Sequence, residues 1–278
     1  MSVTASQVNE LRNLTGAGLM DCKKALIESG GDVQKAIDYL RKKGAKVAEL
    51  RAGRAASEGV VIAKTTPDNK RGVAVYLSCE TDFVAKNEDF RALAESIADL
   101  ALNNNITSLE DLLAANLNGA TVKDQIQEKV SAIGELINVS AFETLTGESL
   151  VAYNHMGNKI GVLVALNQPL TDAIVAAGKD VAMQVAAMNP AAVDASGVPT
   201  ELLEREKAIA REKAVAQGKP ENILDKIAEG AANTFIKENT LLTQPFVKDG
   251  SKTVVQFLGG VSSGLTVTGF KRAALGMK

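Results

Sequence analysis

The stretch RGVAVYLSCETDFVAKNEDF, residues 71–90, holds a strand pattern that runs directly into a helix pattern. Its first part is an unbroken apolar run of strand length, and from Phe90 onward apolar residues recur at helical spacing. A similar order returns when Gly72 is aligned with Gly161, because GVAV then lies over GVLV and an Ala-rich helix pattern follows each run. The alignment predicts two related αβ units, each with a small antiparallel sheet backed by helices.

Helical patterns surround these two units. A capping box at Thr4 and a cap at Asp32 open the first and third of three short helices, and Gly44 is expected just past the end of the third. Over residues 201–239, a narrow apolar stripe among dense charges predicts a helical hairpin that forms a coiled-coil seam or a projecting arm. The predicted fold class is α+β.

The same patterns divide the chain into an N-terminal three-helix domain with a basic linker, two αβ subdomains and an inserted coiled-coil hairpin. The predicted ranges are 1–55 for the helical domain, 56–140 for the first subdomain, 141–188 with 237–278 for the second, and 189–236 for the hairpin. The strand pattern INVSAFETL (137–145) is expected to begin the second sheet, and LTVTGFKRA (265–273) is expected to complete it.

The composition limits the class of protein. The chain has 278 residues, of which 46% are apolar and 23% charged, and its net charge of −2 argues against a general nucleic-acid binder. Residues 1–54 carry ten Lys/Arg against six Asp/Glu, which indicates either an acidic partner or solvated helix faces. Cys22 and Cys79 are unclustered, and no signal-peptide or membrane-span pattern occurs, so we expect a cytoplasmic protein that does not bind membranes.

The sequence lacks the motifs of common enzymes. It contains no phosphate-binding loop, no HExxH or CxxC metal motif and no GxSxG nucleophile motif. The single histidine, His155, lies between two predicted strands without a nucleophile pattern nearby. An enzyme that uses Asp82, Lys86 and His155 is an alternative, but the duplicated arrangement places these groups on separate units. We therefore predict a protein with no chemistry, metal or cofactor of its own.

An acid and a large aromatic residue stand side by side at the strand-to-helix connection, as Asp82 and Phe83. One interpretation is an ordinary helix start, with the acid near the cap and the aromatic ring in the core. Asn87, however, already offers a cap for the following helix, and Phe90 already begins its apolar stripe. That leaves Phe83 free to point outward, where an exposed aromatic residue on a rigid loop is typical of an anchor for a partner's pocket.

Six segments carry a family resemblance, in the same order as in the family and across nearly the whole chain. They are TGAGLMDCKKAL (15–26), TDFVAKNEDF (81–90), YNHMGNKIGVLVA (153–165), QPFV (244–247), SKTV (251–254) and VTGF (267–270). Together they resemble the signatures of bacterial elongation factor Ts. The resemblance implies a guanine-nucleotide exchange factor for elongation factor Tu, which would bind its GDP form, displace Mg²⁺ and promote GDP release so that GTP can bind.

The resemblance also implies roles for particular positions. The N-terminal helices would resemble a ubiquitin-associated (UBA-like) domain that docks on the GTPase through Arg12, Leu19 and Met20. His155 would touch another domain of the same partner, and the hairpin at 189–236 would serve as a coiled-coil or dimerisation arm. The segment that would enter the GTPase near its Mg²⁺ site and dislodge the ion consists of Thr81, Asp82, Phe83 and Val84.

A scaffold protein is the second alternative from the sequence. In that case the three-helix head would recognise a ubiquitin-like or polypeptide ligand without affecting any nucleotide. The head alone would then account for the affinity, and Asp82 with Phe83 would return to the role of an ordinary helix start.

Overall fold

The computed structural model describes residues 3–51 and 53–277 as helices combined with short antiparallel strands. The helices are α1 (Ala5–Thr15), α2 (Leu19–Glu28), α3 (Val33–Arg51), α4 (Asp82–Ala85), α5 (Glu88–Asn103), α6 (Leu109–Ala114), α7 (Val122–Ile133), α8 (Asp172–Met188), α9 (Thr200–Ala216), α10 (Glu221–Asn239) and α11 (Val254–Val261). The strands are β1 (Glu58–Thr65), β2 (Arg71–Cys79), β3 (Asn116–Leu117), β4 (Ala120–Thr121), β5 (Asn138–Thr146), β6 (Ser149–His155), β7 (Ile160–Leu166), β8 (Pro245–Phe246), β9 (Asp249–Thr253) and β10 (Val267–Ala274).

Two three-stranded antiparallel sheets form the centre of the fold, with strand orders β1-β2-β5 and β10-β7-β6. Their inner faces pack on each other through buried side chains that include Val61, Tyr76 and Leu163. Helices α5 and α7 cover the outer face of the first sheet, and α8 and α11 cover that of the second. The fold class is α+β as predicted, in layers of helix, sheet, sheet and helix.

Strand β5 belongs to the first sheet, which corrects the prediction that INVSAFETL begins the second. It pairs antiparallel with β2, where Phe142 lies opposite Val75. The next strand along the chain, β6, pairs with β7 instead, and β10 completes that second sheet as predicted. Consecutive strands pair often but not always, so a strand pattern alone does not name its neighbour. Residues 141–146 therefore lie in the first sheet.

Helices α1, α2 and α3 enclose a small separate core that includes Leu11 and Leu26. The predicted capping box at Thr4 is present, since its side chain accepts a hydrogen bond from the Gln7 backbone and the Gln7 side chain accepts one in return. We refer to residues 3–51 as the head. The apolar core holds its three helices as one unit.

Helix α3 continues through Gly44 to Arg51, which corrects the prediction that the helix ends before this glycine. Gly44 is buried against α7, where a Cβ atom would lie 2.8 Å from the Gln127 carbonyl oxygen and 2.9 Å from Ser131 Cβ. The Ser131 hydroxyl donates a hydrogen bond of 2.7 Å to the Leu40 carbonyl. The glycine thus serves a close helix–helix contact rather than a helix end, and it lets the head pack directly on the body of the protein.

Helices α9 and α10 lie antiparallel and are joined by ion pairs. Lys207 pairs with Glu229 at 2.9 Å, and Arg211 pairs with Asp225. The fully buried residues of the two helices are few, and all but one are alanines: Ala214, Leu224, Ala228 and Ala232. Among the described residues, no helix combines the length and the apolar content that crossing a bilayer requires.

Gly72 and Gly161, which align in the two sequence units, occupy related positions between the sheets. A Cβ atom on Gly72 would lie 2.8 Å from Leu163 of the second sheet. A Cβ atom on Gly161 would lie 2.7 Å from Val61 of the first sheet. Each sheet therefore presents bare backbone where the other sheet's side chains approach, and this allows the close packing of the two units.

Candidate functional site

The segment from Thr81 to Ala85 forms a single helical turn of its own, α4. The Thr81 hydroxyl accepts a hydrogen bond of 3.4 Å from the Val84 backbone, and so caps the turn. Ala85 is buried and Val84 packs partly against the first core, whereas Phe83 has 80% of its surface exposed. The segment is therefore a helix start with its aromatic ring pointing outward, a combination of the two interpretations from the sequence.

The following helix has its own cap and its own core residues, as predicted. Asn87 Oδ1 accepts a hydrogen bond of 3.1 Å from the Phe90 backbone, and Phe90 is fully buried. Because α5 needs neither Asp82 nor Phe83 for its cap or its packing, both side chains remain at the surface.

Two glutamates fasten this turn to the loop after α7. Glu135 accepts two hydrogen bonds from Thr81, one of 3.0 Å from its backbone N–H and one of 2.7 Å from its hydroxyl. In the opposite direction, the Leu136 backbone donates a hydrogen bond of 2.8 Å to Glu80. Both contacts are charge-assisted, and such bonds are shorter and stronger than those between neutral groups. The turn therefore starts from a fixed base.

Glu80 also joins this base to the end of helix α3. Arg51 donates a hydrogen bond of 2.8 Å to one carboxylate oxygen, and Arg54 donates one of 3.3 Å to the other. Burial alone would raise the pKa of Glu80, but the bonds from Arg51, the Leu136 backbone and Arg54 outweigh it, so the pKa is lowered. The carboxylate stays charged at neutral pH and links the head to the residue before the turn.

The charge on the turn itself lies at the surface. Lys86 Nζ lies 2.6 Å from Asp82 Oδ2, and this hydrogen bond lowers the pKa of Asp82. Both side chains are more than half exposed, so the pair contributes little to stability and leaves the carboxylate accessible. Beneath the turn, burial raises the pKa of the Cys79 thiol to about 12. Cys79 is therefore an inert core residue rather than a reactive one.

The head presents a second surface with exposed apolar side chains. Leu19 and Met20, at the start of α2, are 49% and 72% exposed, and Arg12 on α1 is exposed as well. Leu14 and Ile27 are also more than half exposed. Sequence reasoning did not single out these last two, although large apolar residues that fall outside the core stripe of a short helix are a signal for such a surface.

His155 lies at the end of β6 and is half-buried. Its Nδ1 atom is 2.7 Å from the Tyr153 hydroxyl, which fixes the orientation of the ring. The next residue, Met156, begins the turn to β7 with a positive φ and is 67% exposed. This methionine is a further apolar surface residue that the sequence predictions did not include.

The structure brings Thr81, Asp82, Phe83 and Val84 together on one turn but does not connect them to His155. Asp82 is bonded to Lys86 and His155 to Tyr153, and no hydrogen bond or ion pair joins the two groups in the described part of the chain. Within residues 3–51 and 53–277, no three His, Cys, Asp or Glu side chains are grouped closely enough to hold a metal ion.

Comparison with known proteins identifies the family. The family model described as Elongation factor TS matches residues 80–277. The chain is 51% identical to Elongation factor Ts of Amoebophilus asiaticus over 276 residues, which cover 99% of this chain and 100% of the relative. It is 47% identical to Elongation factor Ts of Christiangramia forsetii and 46% identical to that of Flavobacterium psychrophilum, with 99% of each chain covered. The chain therefore belongs to the elongation factor Ts family, and with it to the elongation factors of protein synthesis.

Proposed function

We propose that this protein is a guanine-nucleotide exchange factor for elongation factor Tu, and not an enzyme. It would bind the GDP form of the GTPase, displace Mg²⁺ and promote GDP release so that GTP can bind. Membership of the elongation factor Ts family supports this function. The structural observation that carries it is Phe83, a large aromatic side chain held 80% exposed on a rigidly fastened turn.

Thermodynamic linkage sets the size of the required effect. A partner that prefers the nucleotide-free GTPase must weaken nucleotide binding by the same factor by which nucleotide weakens partner binding. A thousandfold weakening needs about 4 kcal/mol of differential binding free energy. Full burial of one Phe side chain contributes about 1.5–3 kcal/mol, so Phe83 supplies a large share and other contacts supply the rest.

The four residues of the turn have different roles in this mechanism. Phe83 would insert between elements of the GTPase that hold its Mg²⁺ ligands, and packed elements respond by moving to a different discrete arrangement. Asp82 would act electrostatically, either on the ion's ligand shell or on a positive group of the partner. Thr81 and Val84 would hold the turn, since the first caps it and the second packs on the core.

The remaining contacts would supply affinity and orientation. We propose that Arg12, Leu19 and Met20 dock the head, a UBA-like domain, on the GTPase, and the exposure of both apolar side chains supports this. Leu14 and Ile27 are further exposed apolar side chains of the head. His155 and Met156, at the end of β6, would contact a second domain of the partner.

The hairpin of α9 and α10, predicted as the inserted segment 189–236 and continued by α10 to Asn239, is proposed as a coiled-coil arm that can form a homodimer. Its thin core supports this, together with Val215, which is 57% exposed. We further propose that the protein acts in the cytoplasm without a cofactor, and that its partner is the GTPase rather than a nucleic acid or a membrane. The near-neutral net charge of −2 supports the absence of nucleic-acid binding.

Stopped-flow release of a fluorescent GDP analogue from elongation factor Tu tests the function. The intact protein should accelerate release strongly, and Phe83→Ala should lower the maximum accelerated rate about tenfold to a hundredfold, the loss expected from one Phe burial. Because Phe83 is exposed, its truncation should leave the melting temperature unchanged. Leu109→Ala, which removes an exposed apolar side chain from α6, is the matched control and should exchange normally.

The scaffold alternative gives a different result. If the intact protein binds the GTPase but does not accelerate GDP release, then the protein is a scaffold and the exchange function is wrong. If release is accelerated and Phe83→Ala retains the full rate, the exchange function stands, but Phe83 is not its working part.

A further inference from the structure

The contact between residues 80–81 and 135–136 is more extensive than a helical turn requires for its own stability. Thr81 already caps α4 through its hydroxyl oxygen, and Ala85 already anchors the turn in the core. Glu135, just after the C-terminal end of helix α7, accepts two further hydrogen bonds, from the backbone N–H and from the hydroxyl of Thr81. These bonds do not complete the helix but fix where it starts and how it is oriented.

We propose that Glu135 is a positioning residue for nucleotide exchange, which sets the direction of the Phe83 side chain through Thr81. The inference rests on the exchange function proposed above and extends it to a residue outside the 81–84 segment. Glu135 itself would touch neither the GTPase nor its nucleotide. It would act only by holding the turn that carries Phe83.

The hydroxyl of Thr81 explains how the carboxylate acts at a distance. This hydroxyl donates its proton to Glu135 Oε1 at 2.7 Å, so its lone pairs remain available to the Val84 backbone N–H. A hydroxyl without that acceptor can rotate and donate elsewhere, which weakens the cap. The contacts from Glu135 through Thr81 to Val84 therefore flank Phe83 in the chain and hold the backbone from which its side chain projects.

Helix α7 gives Glu135 a firm base. The helix packs on the first sheet through the buried residues Val122, Ile126 and Val130, and it ends at Gly134 in the left-handed conformation. Glu135 follows directly. The loop residue Glu135 therefore starts directly from a helix that is anchored in the first core.

A side chain that must displace part of a partner has to be held in place while it does so. If the turn can move when it meets the partner, the protein still binds, but less of its binding free energy goes into stabilising the rearranged conformation of the partner. A misplacement of about 1 Å can cost about a hundredfold in rate where geometry decides the outcome. Loss of Glu135 should therefore lower the maximum exchange rate more than it lowers affinity.

The test measures GDP-analogue release at increasing concentrations of the full-length protein, with Glu135→Ala, Glu135→Gln and the double variant Glu135→Ala/Phe83→Ala. Glu135→Ala should lower the maximum rate about tenfold or more, while the concentration for half-maximal effect stays within about threefold. Glu135→Gln keeps one acceptor oxygen and should fall between Glu135→Ala and the unchanged protein. Glu110→Ala, which removes an exposed carboxylate from α6, is the matched control and should behave as the unchanged protein.

A double-variant comparison separates positioning from a general structural role. If Glu135 acts through Phe83, then Glu135→Ala should cause no further loss of rate once Phe83 is already Ala. Amide hydrogen exchange at Thr81 should become faster in Glu135→Ala, while the core strands of the first sheet remain protected. A purely structural role would lower the protection of the whole sheet and the melting temperature together.

Three results would overturn the inference. The first is that Glu135→Ala keeps the full maximum rate of GDP-analogue release while Phe83→Ala loses it. The exchange function would then stand, but the positioning role of Glu135 would be wrong. The second is an equal additional loss in the Phe83→Ala background, since Glu135 would then act independently of Phe83. The third is no acceleration by the unchanged protein, which refutes the exchange function and this inference with it.

Discussion

Substitution of Gly44 by Ala tests whether the head is packed on the body as the structure shows. In an exposed helix interior this change stabilises a protein by about 1 kcal/mol, because Ala is the better helix former. Here, however, the new Cβ atom would lie 2.8 Å from the Gln127 carbonyl oxygen and would collide with the Ser131 hydroxyl. The sign of the effect therefore depends on which of the two contributions is larger.

The magnitudes favour destabilisation. Overpacking of a close contact costs about 1–3 kcal/mol. The collision with Ser131 also disrupts its 2.7 Å hydrogen bond to the Leu40 carbonyl, at a cost of about 0.5–1.5 kcal/mol. Against a gain of about 1 kcal/mol from helix propensity, we expect Gly44→Ala to lower the free energy of unfolding by about 1–3 kcal/mol.

Urea unfolding followed by circular dichroism measures this change, and Gly230→Ala provides the matched control. Gly230 also lies inside a helix, α10, but a Cβ atom there would meet no other atom within 4 Å. The control should therefore be neutral or stabilising by up to about 1 kcal/mol. Equal stabilisation of both variants would refute the close contact between α3 and α7, and with it the docking of the head described above.

Two further predictions concern groups next to the turn. Glu80→Gln should lower the free energy of unfolding by about 1–3 kcal/mol at pH 7. The pKa of Glu80 is lower in the folded protein than in the unfolded chain. Its contribution to the free energy of unfolding is therefore fully present above the ordinary carboxyl pKa of about 4.5, and it is lost as the pH falls through the lower folded-state pKa. The free energies of unfolding of both proteins, measured by urea titration, should converge in acid. A constant difference down to the most acidic pH at which both proteins fold would contradict this assignment. The Cys79 thiol, with a pKa of about 12, should resist modification by iodoacetamide at pH 8 in the folded protein and react after unfolding. Mass spectrometry measures this modification, and rapid modification of the folded protein would contradict the burial of Cys79.

Structural features that depend on residues close together in the chain, such as helix caps, could be predicted from the sequence. The predicted capping box at Thr4 and the predicted cap at Asn87 are both present, because a cap and its target lie only three residues apart. Where the sequence has two hydroxyl residues in a row, Thr107 and Ser108, it is Ser108 that carries the cap of α6. Both residues have a hydroxyl side chain, so the local pattern could not distinguish them.

Contacts between distant segments could not be predicted in the same way. Gly44 was predicted to follow a helix end because the residues that require a glycine there, Gln127 and Ser131, lie on another helix and are distant in the sequence. Strand β5 was assigned to the wrong sheet because its partner, β2, lies well before it in the chain. The exposure of Phe83 could be predicted because its neighbours already filled the cap and the core, whereas Glu135 acts on Thr81 from 54 residues away and left no local pattern.

The bare backbone at Gly72 and Gly161 has a consequence for recognition. Because the two sheets pack in direct contact, the turn that carries Phe83 and the strand that ends at His155 belong to one body, and the distance between them does not depend on a linker. A rigid body with two contact points binds best to the partner conformation whose own two surfaces have the matching separation. Side chains as small as a methyl group at these glycines would alter that separation, and would thereby change which conformation of the partner the protein selects.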